Sequence, residues 1–285
     1  MKWRGRKESS SVEDRRGQVV KGAAGLGGVG IILYLVLMLM GVDPSAIIDI
    51  AGTSQTGSGT TGQSQEYQGN AEEEELRDFV SVVFQDTEDV WTEIFARENA
   101  RYQKATLVLY TRATQSACGV GQAGMGPFYC PLDQKVYLDL SFYQEMRNRY
   151  RAPGDFALAY VIAHEVGHHV QNQLGILEKV QNLRGRVSQK QYNQLSVRLE
   201  LQADYFAGVW AKYMQGQGYL EIGDVEEAMN AASAVGDDRI QEQMQGNAVP
   251  DTFTHGTSEQ RVRWFRKGFT NGTLRGGDTF GAREL

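Results

Sequence analysis

The chain has 285 residues, of which 41% are hydrophobic and 22% are charged. A chain of this length and composition can bury a core of its own without structural metals or disulfides. Its formal net charge is −6 at pH 7. Because phosphate contacts need a basic surface, the composition argues against nucleic acid as the main partner.

An uncharged stretch at residues 22–42 follows a short basic segment, residues 1–21. A helix of about 20 apolar residues spans the ~30 Å hydrocarbon core of a membrane. A buried core helix would carry a polar face, and a signal peptide would have a shorter apolar region and a cleavage site of small residues. We therefore predict an uncleaved transmembrane anchor. Its several glycines would let two such helices approach closely, as in a homo-oligomer.

The positive charges around this stretch predict its orientation. Seven Lys and Arg residues precede it, and the next one after it is Arg77. Because Lys and Arg accumulate on the cytoplasmic side, we expect a single-pass protein of the cell inner membrane. Residues 1–21 would lie in the cytoplasm and the following domain in the periplasm or another extracytoplasmic space. In such an oxidising compartment Cys118 and Cys130 are most simply one disulfide, with two free buried thiols as the alternative.

The rest of the chain divides into a linker and a domain. Residues 43–70 are rich in Gly, Ser, Thr and Gln and predict a flexible linker, so the folded domain should comprise residues 71–285. We expect a helix beginning near Ala71, strands at 105–114 and 136–140, and helices at 155–174, 188–215, 223–234 and 257–267, the last with a capping box at Thr257 and Gln260. A small sheet followed by a mainly helical region is an α+β fold.

Three of the four histidines fall within A-H-E-V-G-H-H-V-Q, residues 163–171. On a helix His164 and His168 lie one turn apart on the same face, where two imidazoles can bind one Zn²⁺. Glu165 is rotated by roughly 100° from His164, which suits a general base that takes a proton from a metal-activated water. The preceding residues are too apolar for a solvated helix, and burying these polar groups without a metal would be costly. Gly167 should leave room beside the metal.

A second helix offers the third ligand that catalytic zinc requires. In residues 198–211, Glu200 and Asp204 lie four positions apart on one face of an otherwise apolar run. We predict Glu200 as the third ligand of one zinc ion per chain, and Asp204 as the acceptor that orients a ligand histidine. An ordinary helix with two exposed acids is the alternative. His169 points elsewhere on its helix and is expected to be a supporting or surface residue.

Four motifs together resemble the bacterial neutral zinc metallopeptidase family. They are H-E-V-G-H-H-V-Q, E-L-Q-A-D-Y-F-A-G-V-W, A-C-G…G-P-F-Y-C-P-L-D-Q-K-V-Y-L-D-L and T-H-G-T-S-E-Q-R. The likeness extends over essentially the whole chain and implies a zincin-like metallopeptidase domain. The second and fourth motifs also resemble, more distantly, those of prenyl-protease-type gluzincins, in which Glu supplies the third zinc ligand. This chain has Gly256 where proline is usual in that group and lacks its several membrane spans, so its prenylated or membrane-embedded substrates are not carried over.

The same resemblance implies roles for His255 and Arg261. In peptide hydrolysis an oxyanion forms that zinc shares with a second hydrogen-bond donor. The resemblance implies that His255 is this donor and that Arg261 fixes the loop or contacts the substrate. A histidine in a surface loop near the start of a helix is the alternative for His255.

Two functions are compatible with these patterns. The first is a membrane-anchored zinc endopeptidase that cleaves a peptide or protein substrate outside the cytoplasm. The second is a non-catalytic anchored module that retains the fold and binds peptides or partner proteins. The presence of Glu165 favours the enzyme, because a binding module has no use for a general base. The segment G-P-F-Y-C-P could form an edge strand that holds an extended substrate, or a structural loop tied by the disulfide.

Overall fold

A small mixed sheet lies beside a larger group of helices, and both contribute to one hydrophobic core. The computed structural model describes residues 1–18 and 69–285. The anchor predicted at residues 22–42 lies outside the described residues, as does almost all of the linker predicted at 43–70. Within the two described ranges, no helix combines the length and the apolar character that crossing a membrane requires. The predicted α+β class is confirmed.

The described strands are β1 (Val12–Asp14), β2 (Thr106–Tyr110), β3 (Ala113–Ser116), β4 (Gly119–Gln122), β5 (Phe128–Cys130) and β6 (Lys135–Asp139). The main sheet has the order β1-β2-β6-β5, in which β1, β2 and β6 are parallel and β5 is antiparallel to β6. Strand β2 is buried on both faces. Leu107 and Leu109 contact the main core, and Val108 and Tyr110 contact a smaller apolar cluster. A continuous apolar run is typical of such a strand.

The single strand predicted at 105–114 is wrong in its second half, because the chain turns after Tyr110. Arg112 has a φ of 68°, a left-handed conformation that ends an extended run. Strands β3 and β4 then form a separate antiparallel hairpin, where the sequence predicted the end of the strand and a glycine-rich loop. The predicted disulfide is present and joins Cys118, beside this hairpin, to Cys130 in β5.

The described helices are α1 (Ala71–Arg97), α2 (Phe142–Asn148), α3 (Asp155–Gln173), α4 (Ile176–Gln181), α5 (Gln189–Gly216), α6 (Asp224–Ala234), α7 (Asp237–Gln245) and α8 (Ser258–Asn271). The long helices agree with the predicted ranges to within a few residues. The short helices α2, α4 and α7 were not predicted, because so few turns show no clear hydrophobic period. The predicted capping box at the start of α8 is confirmed, with Thr257 and Gln260 as its members.

Helix α3 crosses the middle of the core, and nearly all of its residues from Phe156 to Val170 are buried. Helix α5 packs against α3, and α8 packs against α5. The α5–α8 contact is unusually close because both helices have glycine there. A Cβ atom at Gly208 would overlap the backbone of α8, and one at Gly268 would overlap the backbone of α5. This packing places Arg261 of α8 beside Asp204 of α5.

Residues 1–18 are part of the folded domain. Strand β1 extends the sheet by pairing with β2, and Ser9 donates a hydrogen bond to the buried carboxylate of Glu88 at 2.9 Å. Arg6 forms an ion pair with Asp86, also on α1. The sequence predicted a separate basic segment at residues 1–21. The structure differs because the basic side chains of this segment pair with acidic side chains of α1, which lies far away in the chain.

Candidate metal centre

Helix α3 presents three side chains of the H-E-x-x-H motif to one region. The imidazole rings of His164 and His168 have their centroids 4.8 Å apart and stand almost perpendicular, at 88°. Both come from the same face of the helix because four residues make about one turn. Both side chains are largely buried, with 8% and 14% exposed. The spacing predicted from the sequence therefore brings the two rings together.

Glu200 of α5 completes the cluster. Its Oε2 lies 3.1 Å from His164 Nε2, and its Oε1 lies 3.4 Å from His168 Nε2. One ligand atom from each of the three residues lies within 4.8 Å of the other two. Two imidazole nitrogens and one carboxylate oxygen are a ligand set typical of catalytic zinc. The structure thus brings together the three ligands that were predicted.

The opposite nitrogen of each imidazole is held by a hydrogen bond. His164 Nδ1 lies 2.8 Å from Asp204 Oδ1, and His168 Nδ1 lies 2.8 Å from Gln171 Oε1. These partners assign the proton to Nδ1 in both rings, because a carboxylate oxygen and an amide oxygen accept hydrogen bonds. With Nδ1 held in this way, Nε2 is the ring nitrogen that each histidine would offer to a metal ion beside the Glu200 carboxylate. The residues present therefore fit a zinc ion.

Asp204 is completely buried behind His164. Besides His164, its carboxylate accepts hydrogen bonds from the Tyr160 hydroxyl at 2.5 Å and from Arg261 Nε at 2.9 Å. Burial opposes the ionised form, but the Arg261 guanidinium beside it holds the pKa of Asp204 at about 2. The carboxylate is therefore charged at neutral pH. Its geometry matches the orienting role predicted for it.

Arg261 lies inside the domain, with 5% of its side chain exposed. In addition to its two bonds to Asp204, it donates Nη1 to the Val235 carbonyl at 3.2 Å. Its fully paired and buried position does not suit substrate contact, which was one of its two predicted roles. The side chain instead holds Asp204 and the chain segment that leads into α7.

The Glu165 side chain lies beside the two ligand histidines on α3. The residue is 8% exposed, and its carboxylate makes no hydrogen bond to any of the described residues. Burial raises the pKa of Glu165, and the neighbouring His168 and His164 partly oppose that rise. The spacing of the motif thus brings Glu165 beside the two histidines.

The loop before α8 is held by Asp237, a residue that the sequence analysis missed. Its Oδ2 accepts hydrogen bonds from three successive backbone N–H groups, those of Thr254, His255 and Gly256, at 2.7, 2.6 and 3.0 Å. Its Oδ1 lies 3.2 Å from His255 Nδ1. Asp237 lies 18 residues before His255 at the start of a short helix, so no local pattern connects the two residues.

His255 lies in the loop before α8 and is half exposed. Partial burial of the ring opposes its charged form, but the carboxylates of Asp237 and Glu200 raise its pKa. Gly256, which follows it, has a φ of 88°. Proline is restricted to a φ near −65°, so the proline that is usual at this position in the distantly similar gluzincins is incompatible with this loop conformation.

Gly167 does not leave space for the metal, which corrects the expectation from the sequence. A Cβ atom at this position would lie 3.0 Å from the Ala203 carbonyl oxygen and 3.1 Å from its Cα. The space beside Gly167 is therefore filled by the backbone of α5. This close approach of α3 and α5 brings Glu200 and Asp204 within reach of His164.

His169 joins α3 to the sheet and is not part of the ligand cluster. The residue is fully buried. Its Nδ1 lies 2.9 Å from the Tyr129 hydroxyl in β5, and its Nε2 lies 2.6 Å from the Gln103 carbonyl. It is therefore a supporting residue, one of the two alternatives predicted. The contact ties strand β5, at the edge of the main sheet, to the helix that carries the histidine ligands.

Comparisons with known proteins agree with this site. The family model described as "Putative neutral zinc metallopeptidase" matches residues 1–280. The chain is 49% identical to YpfJ of Escherichia coli (strain K12) over 290 residues, which cover 99% of each chain. It is 41% identical to Rv2575 of Mycobacterium tuberculosis (strain ATCC 25618 / H37Rv) and to Mb2605 of Mycobacterium bovis over 196 residues, 65% of each chain. No solved structure matches the chain. Because the family match extends over nearly the whole sequence, the chain belongs to the neutral zinc metallopeptidase family.

Proposed function

We propose that the chain is a zinc-dependent endopeptidase with a zincin-like domain that binds one zinc ion. The observation that carries this proposal is the Glu165 carboxylate, which lies buried and without a hydrogen-bond partner among the described residues beside a complete set of three ligands. A non-catalytic module that binds peptides is the alternative. The unpaired carboxylate favours the enzyme, because a binding module would not need to keep a buried base.

The residues of the site have separate roles in the proposed reaction. His164, His168 and Glu200 would hold zinc, which when bound supplies a Lewis acid that lowers the pKa of water and polarises a carbonyl group. Glu165 accepts a proton from the water that attacks the peptide carbonyl and passes it to the leaving amine. The half-exposed ring of His255 donates a hydrogen bond to the oxyanion.

We propose that an extended substrate peptide lies along β5. Strand β5 is at the edge of the main sheet, so its outer side is available for main-chain hydrogen bonds with an added strand. The disulfide of Cys130 ties this edge to the neighbouring chain, and the Tyr129 hydroxyl contacts His169 on α3. These contacts support a rigid edge at a constant position relative to the histidine ligands.

Zinc content and peptide cleavage, measured on the purified full-length chain, test the proposed function. The full chain is required because residues 1–18 contribute a strand to the domain. We expect one zinc per chain, cleavage of a peptide library, and loss of cleavage on chelation with recovery on zinc addition. Glu200→Ala should lose the zinc. His255→Ala should keep the zinc and KM but lower kcat by about 10²–10³-fold.

Each possible failure of this experiment has a distinct meaning. A zinc-loaded wild-type chain that cleaves no member of the library would favour the binding module. A Glu200→Ala variant with full zinc affinity and activity would remove Glu200 from the ligand set. An unchanged kcat in His255→Ala would show that this histidine is an ordinary surface residue, whereas loss of zinc would make it a ligand.

We further propose that the domain lies outside the cytoplasm and is attached to the membrane through residues 22–42. The disulfide between Cys118 and Cys130 supports an oxidising compartment. The pairing of β1 with β2 argues against the predicted single crossing with a cytoplasmic N-terminus. One crossing between residues 18 and 69 would separate β1 from β2, yet these strands are paired. We therefore propose that residues 1–18 lie on the same side of the membrane as the domain.

Cysteine labelling in intact spheroplasts checks this arrangement. The two native cysteines are joined in the disulfide, so one introduced cysteine is the only free thiol. Ser10→Cys reports on the N-terminal segment and Ile222→Cys on the domain, because both positions are exposed. We expect a membrane-impermeant maleimide to label both without lysis. Labelling of Ser10→Cys only after lysis would restore the single crossing, and protection of both positions would place the domain in the cytoplasm.

A further inference from the structure

We propose that Gln171 is a positioning residue of the metal centre, whose side-chain amide holds the His168 ring with Nε2 directed at the ligand cluster. This inference rests on the proposed function, since it assumes that the cluster binds zinc. Gln171 lies three positions after His168 on α3 and is completely buried. Its Oε1 lies 2.8 Å from His168 Nδ1. A buried amide beside a ligand imidazole needs partners for both of its ends.

The other end of the Gln171 amide is held by helix α5. Its Nε2 donates to the Leu199 carbonyl at 2.7 Å and to Gln202 Oε1 at 3.1 Å. Because a backbone carbonyl accepts hydrogen bonds only, the amide nitrogen must face Leu199 and the amide oxygen must face His168. The reversed amide would bring its oxygen against the Leu199 oxygen. The fold of α5 against α3 therefore sets the direction of the amide.

This direction determines the tautomer of His168. An amide oxygen accepts a hydrogen bond, so His168 Nδ1 must carry the proton that is donated to it. Nε2, which lies 3.4 Å from Glu200 Oε1, is then the nitrogen whose lone pair a metal ion would bind. A metal ligand needs this lone pair, and the hydrogen bond on the opposite ring nitrogen also fixes the rotation of the ring. The Leu199 carbonyl thus decides, through Gln171, which nitrogen of His168 is available.

A second buried amide supports the first. Gln202 of α5 is 4% exposed and donates its Nε2 to the Gly277 carbonyl at 2.7 Å. Its Oε1 is therefore free to accept the bond from Gln171. The contacts run from Gly277 through Gln202 and Gln171 to His168. Because Gln171 also bonds to Leu199, we expect Gln202 to contribute less than Gln171.

The two ligand histidines are thus oriented by different chemistry. His164 is held by the charged carboxylate of Asp204, whose charge is balanced by Arg261. His168 is held by a neutral amide, and its ring lies beside Glu200. Glu165, a further carboxylate, is buried close by. A neutral acceptor orients the second ligand without adding another negative charge to this group.

The test is the zinc dissociation constant of the full-length protein, measured by competition with a chromophoric chelator. Gln171→Met keeps the approximate size of the side chain but removes all three of its hydrogen bonds, and we expect about 10–100-fold weaker binding. Gln171→Glu keeps an oxygen acceptor facing His168 but sets its second oxygen against the Leu199 carbonyl. It should therefore bind zinc more weakly than wild type but more tightly than Gln171→Met. Gln202→Met should have a smaller effect than Gln171→Met.

In ¹⁵N-resolved spectra of the zinc-loaded protein, the His168 Nδ1–H proton should be protected in wild type and exchange rapidly in Gln171→Met.

Gln173→Met is the matched control. Gln173 lies on the same helix and donates to the Gln103 carbonyl and contacts His169, which is not a ligand. This variant should keep the wild-type dissociation constant. Wild-type affinity in a folded Gln171→Met protein would overturn the inference, as would equal losses in Gln171→Met and Gln171→Glu, which would indicate packing. A wild-type protein that takes up no zinc would refute the proposed function and this inference together.

Discussion

Glu165→Gln should abolish peptide hydrolysis while the protein keeps its zinc. Glutamine has the shape of glutamate but its neutral amide cannot accept the proton of the attacking water. Loss of a general base typically costs about 10²–10⁴-fold in rate. The proposed zinc ligands His164, His168 and Glu200 are left unchanged. Because the Glu165 carboxylate makes no hydrogen bond to the described residues, the substitution removes no structural contact, and the variant should fold normally.

The measurement combines zinc content, thermal unfolding and kcat/KM on a fluorogenic peptide found by the library screen. Glu178→Gln is a suitable control, because it makes the same change at an exposed position on α4. A Glu165→Gln protein that is folded but lacks zinc would show that Glu165 is a ligand. A variant with wild-type kcat/KM would exclude Glu165 as the base and would remove the main support for the proposed reaction.

Asp204→Ala should lower both stability and zinc affinity. The substitution leaves the buried Arg261 guanidinium without its carboxylate partner and removes the acceptor of the Tyr160 hydroxyl and His164 Nδ1. Breaking a buried ion pair by removing one partner typically costs about 3–5 kcal/mol of unfolding free energy. Loss of the group that orients a ligand histidine typically weakens metal binding by about 10–100-fold. Urea unfolding of the metal-free protein and chelator competition measure the two effects separately.

The double variant Asp204→Leu/Arg261→Met distinguishes the two roles of Asp204. Removing both charges replaces the buried pair by apolar groups, which is often neutral or stabilising. We therefore expect the double variant to recover much of the unfolding free energy, whereas its zinc affinity stays low because His164 Nδ1 still lacks an acceptor. Wild-type zinc affinity in the double variant would contradict the orienting role. A single Asp204→Ala variant as stable as wild type would contradict the structural role.

The pairing of the two ligand histidines could be predicted because it is a property of one helix. His164 and His168 are one turn apart on any α-helix, and the apolar residues before them indicate that this helix is buried. The same reasoning placed Glu200 and Asp204 together on a second helix. The resemblance to a family added His255. These predictions need only local spacing or a motif.

The packing of the helices determines which side-chain atoms of the site contact one another. Gly167 lets the backbone of α5 approach α3 at Ala203, and this contact brings Glu200 to the two Nε2 atoms. Gln171 and Asp237 gave no signal, because a lone amide and a lone carboxylate become meaningful only beside the groups they contact. Arg261 was expected at the loop or substrate, but the close α5–α8 packing buries it against Asp204.

Strand β1 is another element whose contacts could not be predicted from the sequence, here because its partner is distant in the chain. By itself, the sequence determined a basic segment, an uncharged stretch at 22–42, a small sheet and a helix bearing H-E-x-x-H, because composition and periodicity are local properties. Only the tertiary structure decided that Val12–Asp14 pairs with β2. Three residues are too few for a strand pattern, and their partner lies on the far side of the uncharged stretch. The physical reason is that strand pairing depends on backbone hydrogen bonds between distant segments, which no local sequence pattern records.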